Sequence, residues 1–176
     1  PYLATGSMPP RSATFSNSGE THEWLPSFDA TACTGCGKCW TRCPDSAIGV
    51  VAAGPAALID AGIRKTGADA VRQVASKLAS LIVASTKSGD AAATTFGPML
   101  DDAFAWLKEK MPLTEERKQA MTEGLAGINA QFGRLPVAVT EPFFRQPEAQ
   151  KKDSAELLSV VINPDACKAC GLCVSS

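Results

Sequence analysis

Two cysteine runs constrain the fold of this chain more than any other feature of its sequence. The first run, CTGCGKCWTRCP at 33 to 44, has the spacing C-x2-C-x2-C-x3-C-P. The second run, CKACGLCVSS at 167 to 176, repeats the first three cysteines and reaches Ser176 one position before a fourth would be expected. Three cysteines at this spacing let a short, curved backbone direct its sulfurs inward, whereas the fourth points outward. We therefore expect both runs to form metal-binding loops.

Three chemistries compete for the seven cysteines. Disulfides fit poorly, because seven is odd and cysteines three residues apart seldom have the geometry to pair. Zinc suits pairs of CxxC, but it leaves the third cysteine of each run without a role. A nucleophilic cysteine would need a base, and the single histidine, His22, is far from any such motif and is most simply an exposed loop residue. The spacing thus favours [4Fe-4S] clusters over zinc.

The ligands of two clusters follow from a sharing rule. In two-cluster ferredoxins the outward cysteine of one motif ligates the other cluster. One cluster would then be complete within the chain, with the ligands Cys43, Cys167, Cys170 and Cys173. The other would be bound by three cysteines of the first run and a fourth ligand expected directly after Ser176: Cys33, Cys36 and Cys39.

Residues beside the cysteines suit a cluster environment. Glycines at three positions would let backbone N–H groups approach the sulfurs and raise the reduction potential: Gly35, Gly37 and Gly171. Lys38 and Lys168 would act in the same direction if they are close. Trp40 and Ile48 would supply an apolar shell that limits water.

Composition excludes several classes of partner. The 17 basic and 18 acidic residues leave a net charge of −1, which provides no electrostatic footprint for nucleic acid or an anionic membrane. The most apolar stretch, 47 to 63, is interrupted by Pro55 and Asp60, so no membrane span is expected. The chain starts without Met or a signal layout, so we expect a piece of a longer polypeptide. Thiols at metal spacing favour a reducing, cytoplasmic compartment.

The runs are flanked by segments that predict short strands. EWLPSF at 23 to 28 precedes the first run, SAIGVV at 46 to 51 follows it, and LLSVVIN at 157 to 163 leads into the second. We predict an α+β fold: a two-cluster bacterial ferredoxin-like core, pseudo-twofold with short antiparallel strands, carrying a large α-helical insertion. The predicted domains are an extended arm or linker at 1–22, the iron–sulfur core at 23–54 and 154–176, and the helical insertion at 55–153.

The insertion shows helical periodicity. Apolar residues at intervals of three and four predict one helix from Ala68 to Thr86, with Val71, Val74, Leu78, Leu81, Ile82 and Ser85 on its buried face. A second helix is predicted after Pro98, with Leu100, Phe104, Leu107 and Met111 buried and Pro112 at its end. A third is predicted after the cap Thr114, with Met121, Leu125, Ile128 and Phe132 buried. A short helix at 56–64 is also expected.

The last part of the insertion, 136 to 153, is interrupted by prolines and predicted to be a return loop. Its two aromatic residues, Phe143 and Phe144, either pin the helices to the iron–sulfur core, which we favour, or form part of a docking surface. No catalytic chemistry is predicted in the insertion, because the carboxylates Asp101, Asp102, Glu115 and Glu116 are expected at helix starts and the segment contains no His or Cys.

The segments WLPSFDATACTGCGKCWTRCPDSAI and VVINPDACKACGLCVSS together resemble the ferredoxin-like domain of pyruvate:ferredoxin and related 2-oxoacid:ferredoxin oxidoreductases. The resemblance covers 23–52 and 157–176, and the helical insertion here is longer than in typical members. It implies an electron-transfer domain without bond chemistry of its own, which relays electrons through two [4Fe-4S] clusters to a soluble ferredoxin or flavodoxin. Thiamine diphosphate, Mg and coenzyme A would bind to other domains of a parent enzyme that is a homodimer.

Two alternatives remain open at this stage. The chain is also compatible with an iron–sulfur subunit or domain of another redox complex, such as a hydrogenase or dehydrogenase. A further alternative is an interaction module in which the helical insertion is the functional part and the metal loops are structural.

Overall fold

The computed structural model describes residues 24–87, 95–110 and 114–175. These residues form an α+β structure with a small two-stranded antiparallel sheet, which confirms the α+β class; the pseudo-twofold two-cluster core stays a prediction. The arm predicted at 1–22 lies outside the described residues. The elements follow in chain order: α1 (Lys38–Thr41), β1 (Ile48–Ala53), α2 (Pro55–Thr66), α3 (Asp69–Arg72), α4 (Ala75–Lys87), α5 (Phe96–Lys110), α6 (Glu115–Phe132), a π-helix (Glu141–Arg145), α7 (Gln146–Gln150) and β2 (Leu157–Ile162).

The chain divides into two compact units. The first comprises Pro1–Ser27, Gly37–Gly49 and Val161–Ser176, of which residues 24–27, 37–49 and 161–175 are described. The second comprises Phe28–Cys36 and Val50–Val160 and includes helices α2 to α7.

The second unit has a helical core of its own. Helix α2 packs against α4 and α6, and α5 packs against α4 and α6. Most of its largest fully buried side chains lie on these helices and on the π-helix, and the others lie on α3 and β2: Ile59, Ile63, Val71, Leu78, Ile82, Phe96, Leu100, Leu107, Ile128, Phe144, Leu157 and Leu158. Burying such side chains is the main favourable contribution to folding, at about 1.5–3 kcal/mol each relative to exposure.

Glycine allows one of these helix pairs to approach closely. A Cβ placed on Gly62 of α2 would lie only 2.7 Å from Cγ2 of Ile128 on α6. Gly127, one residue earlier on α6, has more room, because its Cβ would lie 3.7 Å from the nearest atom, Cβ of Thr66. Only the first position therefore requires a residue without a side chain.

The predicted helices form, with corrections. Helix α5 begins at Phe96, so Pro98 lies inside it, and Asp101 and Asp102 are not in its first turn as expected. The predicted buried Met111 and terminal Pro112 lie outside the described residues.

The periodicity from Ala68 to Thr86 predicted a single helix, but the segment forms α3 and α4, separated by a turn. At this turn the Val74 N–H donates to the Val71 carbonyl, three residues back instead of four. Both valines are buried, so the turn preserves the apolar face. Ser85 was wrongly placed on that face, since it is exposed and Thr86 is buried.

Two other predictions about local structure were wrong. The strand expected at 23–28 is absent, since its described part, 24–28, has no regular structure. The return loop expected at 136–153 contains the π-helix and α7, with Pro142 and Pro147 near their N-termini, where proline is tolerated. Phe144 is buried in the core of the helical unit, whereas Phe143 is half-buried.

The two strands that flank the cysteine runs form as predicted. β1 shows alternating exposure along much of its length, and β2 has its first four residues buried. Beyond the strands, the Asn163 N–H donates to the Ala47 carbonyl at 2.8 Å. This bond ties the residue that leads into the second cysteine run to the segment that leaves the first.

Candidate metal centre

Four cysteines line one cavity in the first unit. Cys43, from the end of the first run, faces the same small space as Cys167, Cys170 and Cys173 of the second run. These are the residues that the sharing rule assigns to the cluster complete within the chain. Cys33 and Cys36 belong to the second unit, and Cys39 belongs to the first.

All seven cysteines lie within the described residues and carry their sulfur as a thiol instead of a disulfide. Burial raises the pKa of the Cys173 thiol, and the neighbouring Cys167, Cys170 and Cys43 raise it further by like-charge repulsion. The Cys173 thiol is thus close enough to the other three cysteines to be affected by their charge. Because metal ligation requires thiolates, a positively charged centre would be needed to offset this repulsion.

Backbone N–H groups are directed at two of these sulfurs. The Ala47 N–H donates to Sγ of Cys43 at 3.2 Å, and the Ala169 N–H donates to Sγ of Cys167 at 3.4 Å. Hydrogen bonds to ligating sulfurs favour the more negative, reduced state of an iron–sulfur cluster. The donor set and its partners therefore fit a thiolate-bound redox cluster.

The remaining walls of the cavity are largely apolar. Ile48, Ile162 and Leu172 contribute to it, and Lys168 and Asp45 are its charged lining residues. The expectation that Ile48 forms part of an apolar shell agrees with this placement. Lys168 is exposed, as is Lys38, which is not among the lining residues. Trp40 packs closely on Gly37, since a Cβ on that glycine would lie 3.0 Å from Cζ2 of Trp40, and its role in an apolar shell stays a prediction.

The two cysteine runs have the same backbone conformation at equivalent positions. The residue two places after the first cysteine has a positive φ in both runs, +77° at Gly35 and +52° at Ala169. The residue after the second cysteine does as well, with +80° at Gly37 and +75° at Gly171. Such left-handed residues curve the chain sharply, and glycine adopts them without steric cost. The local repeat is therefore one of conformation as well as of sequence.

The segment that leads into each cysteine run forms the same kind of turn. Asp29 and Asn163 stand four residues before the first cysteine of their run, and each accepts a backbone N–H two residues on, from Thr31 at 2.9 Å and from Asp165 at 3.0 Å. The Thr31 hydroxyl and N–H lower the pKa of Asp29. Such Asx turns are a common use of Asp and Asn before a loop. Sequence analysis missed this pair, although its equal distance from the cysteines was a usable signal.

Among the described residues, no three or more His, Cys, Asp or Glu side chains are grouped as they would be around a single metal ion. Thiolates on one zinc ion stand about 3.8 Å apart, given the Zn–S bond length and tetrahedral geometry. A cubane cluster instead takes its thiolates on separate irons, so its ligands are spaced more widely.

Comparison with known proteins gives one match. Residues 26–49 match the family of 4Fe-4S binding domains, and this segment contains the whole first run, from Cys33 to Cys43. The match supports an iron–sulfur ferredoxin-like domain that binds a 4Fe-4S cluster. No curated protein and no solved structure was found to match the chain. In the part of the chain that the structure describes, no helix is both long and apolar enough to cross a membrane.

Proposed function

We propose that this chain is an electron-transfer domain with two [4Fe-4S] clusters. The observation that carries the proposal is the cavity in which Cys43 of the first run lies with Cys167, Cys170 and Cys173 of the second. This combination is the one required when the outward cysteine of one motif serves the cluster of the other. When bound, each cluster supplies reversible one-electron chemistry.

The chain's own residues would hold and tune the cluster in this cavity. The four cysteines would provide its thiolates, and the Ala47 and Ala169 N–H groups would stabilise negative charge on two of them. Ile48 and Ile162 would limit the access of water, which strengthens these electrostatic contributions.

The second cluster is proposed on the sequence spacing of the first run. Cys33, Cys36 and Cys39 would provide three thiolates, with a fourth ligand expected after Ser176. The matching backbone of the two runs supports this proposal, because Gly35 and Gly37 have the conformations of their counterparts Ala169 and Gly171.

We further propose that the parent protein is a cytoplasmic, thiamine-dependent 2-oxoacid:ferredoxin oxidoreductase of homodimeric form. The sequence segments that flank both runs support this proposal, as does the arrangement of two cysteine motifs around a large insertion. The chain itself would make and break no substrate bond. Thiamine diphosphate, Mg and coenzyme A would bind elsewhere in the parent, and a soluble ferredoxin or flavodoxin would accept the electrons.

Anaerobic reconstitution with iron and sulfide tests the iron–sulfur proposal. We expect a broad visible absorption that bleaches on reduction by dithionite, and a paramagnetic signal in the reduced state. Reconstitution in the presence of both iron and zinc should yield bound iron and sulfide in equal amounts. Stoichiometric zinc without sulfide would overturn the proposal.

A further inference from the structure

The Thr140 hydroxyl is buried without a hydrogen-bond partner among the described residues. Thr140 is only 2% exposed, so water does not readily replace the missing partner. Leaving a buried hydroxyl unpaired is unfavourable, and native proteins rarely do so without a reason. A group of this kind is expected to have a partner that is not part of the described chain.

The usual role of a threonine at this place in the chain does not explain the hydroxyl. Thr140 immediately precedes the π-helix, a position at which a threonine hydroxyl commonly accepts an N–H of the first turn. Here the side chain makes no such bond. The N–H groups of Phe144 and Arg145 donate to the Thr140 carbonyl instead, at 3.0 and 3.2 Å. The hydroxyl is thus available for another partner, and π-helical turns are often found at functional sites.

The hydroxyl lies against the first cysteine run. A Cβ placed on Gly35 would be 3.1 Å from Oγ1 of Thr140 and 3.0 Å from Cγ of Pro142. Gly35 stands between Cys33 and Cys36, and all of these residues belong to the helical unit. Because Gly35 has no side chain, the buried hydroxyl can approach the backbone that joins two proposed ligands.

We propose that the Thr140 hydroxyl donates a hydrogen bond to a sulfur held by the Cys33–Cys36 segment and thereby raises the reduction potential of that site. The inference depends on the proposed iron–sulfur function and adds a positioning and tuning residue to it. Reduction adds negative charge to the sulfurs, so a hydroxyl donor stabilises the reduced state more than the oxidised one. The helical insertion would then tune the first site, whereas backbone N–H groups act on sulfurs of the second.

The threonine at position 86 provides a matched control. Thr86 is also 2% exposed and in the helical unit, but its hydroxyl donates to the Ile82 carbonyl at 2.7 Å. Thr140→Val and Thr86→Val each exchange a buried hydroxyl for a methyl group of similar volume. Thr140→Ser keeps the hydroxyl and removes only the methyl group.

The test is a redox titration of the full chain, reconstituted anaerobically and followed by paramagnetic resonance. We expect Thr140→Val to lower one midpoint potential and leave the other unchanged, Thr140→Ser to restore the wild-type value, and Thr86→Val to change neither. In metal-free protein, Thr140→Val should be no less stable to urea than wild type, since the lost hydroxyl had no partner, whereas Thr86→Val should be less stable. Unchanged potentials in Thr140→Val, with both clusters present, would overturn this inference alone. Wild-type protein that binds no cluster would overturn the proposed function as well.

Discussion

Gly35→Ala should destabilise the protein more than Gly67→Ala, although the two glycines have nearly the same backbone conformation. Their φ angles are +77° and +71°. A Cβ on Gly35 would meet Pro142 Cγ at 3.0 Å and Thr140 Cβ at 3.2 Å, whereas a Cβ on Gly67 would meet nothing within 4 Å. Both substitutions carry the left-handed backbone cost, but only the first adds steric overlap.

The cost of the left-handed backbone can be separated from the cost of steric overlap. An alanine in the left-handed region costs about 1–2 kcal/mol, which is the whole expected effect of Gly67→Ala. Overpacking against the turn at Thr140 and Pro142 adds about 1–3 kcal/mol. We therefore expect the free energy of unfolding to fall about 1–3 kcal/mol further in Gly35→Ala than in Gly67→Ala. Ala169 already has a φ of +52° at the position equivalent to Gly35, so the backbone of such a loop tolerates a Cβ.

The assay is urea unfolding of metal-free protein, followed by circular dichroism of the helices, with the slope of each transition compared to that of wild type. Equal slopes would assign the difference to the folded state instead of to a change in compactness. Equal destabilisation of the two variants would refute the close approach of the first cysteine run to Thr140 and Pro142.

Two further predictions concern the helical unit. Gly62→Ala should be less stable to urea than Gly127→Ala by about 1–3 kcal/mol, because the new Cβ at position 62 would overlap Ile128. Both variants share the same gain in helix propensity, so that gain does not affect the difference. Equal stabilities would argue against the tight packing of α2 on α6. Glu148 is buried and bonded to Lys87 Nζ at 2.6 Å, and that bond is the main cause that lowers its pKa. Because the folded-state pKa is lowered, the ionised carboxylate stabilises the protein fully above the unfolded-state pKa, and this contribution is lost as the pH falls through the folded-state pKa. Glu148→Gln should therefore cost about 1–2 kcal/mol at neutral pH and progressively less as the pH falls below the unfolded-state pKa. A pH-independent difference between the urea transitions of the variant and wild type would contradict this.

Periodicity predicted most of the helical unit, because apolar spacing records directly which face of a helix is buried. It did not predict the break between α3 and α4. No Gly or Pro stands between Val71 and Ala75, and both flanking valines keep the apolar spacing, so the sequence gives no signal for the turn. The two helices share the neighbour α2 but differ in their other partners, since α3 contacts α6 whereas α4 contacts α5, and such tertiary packing is not encoded in the local pattern.

The metal centre was predictable in part because cysteine spacing is specific. The spacing indicated which residues could be ligands, and the structure gathers Cys43 with the second run around one cavity. The role of Thr140 was not predictable. Its importance depends on the burial of Oγ1 and its closeness to Gly35, which is about a hundred positions away in the sequence, and no local motif encodes that contact.

The central claim is that Cys43 completes the site of the second run. The most direct measurement is iron and sulfide content after anaerobic reconstitution of a variant in which Cys33, Cys36 and Cys39 are replaced by alanine. We expect this variant to bind about four irons and four sulfides per chain, and a fourth replacement, Cys43→Ala, to abolish most of that content and its reduced-state paramagnetic signal. No cluster in the first variant, or a cluster unaffected by the loss of Cys43, would contradict the assignment.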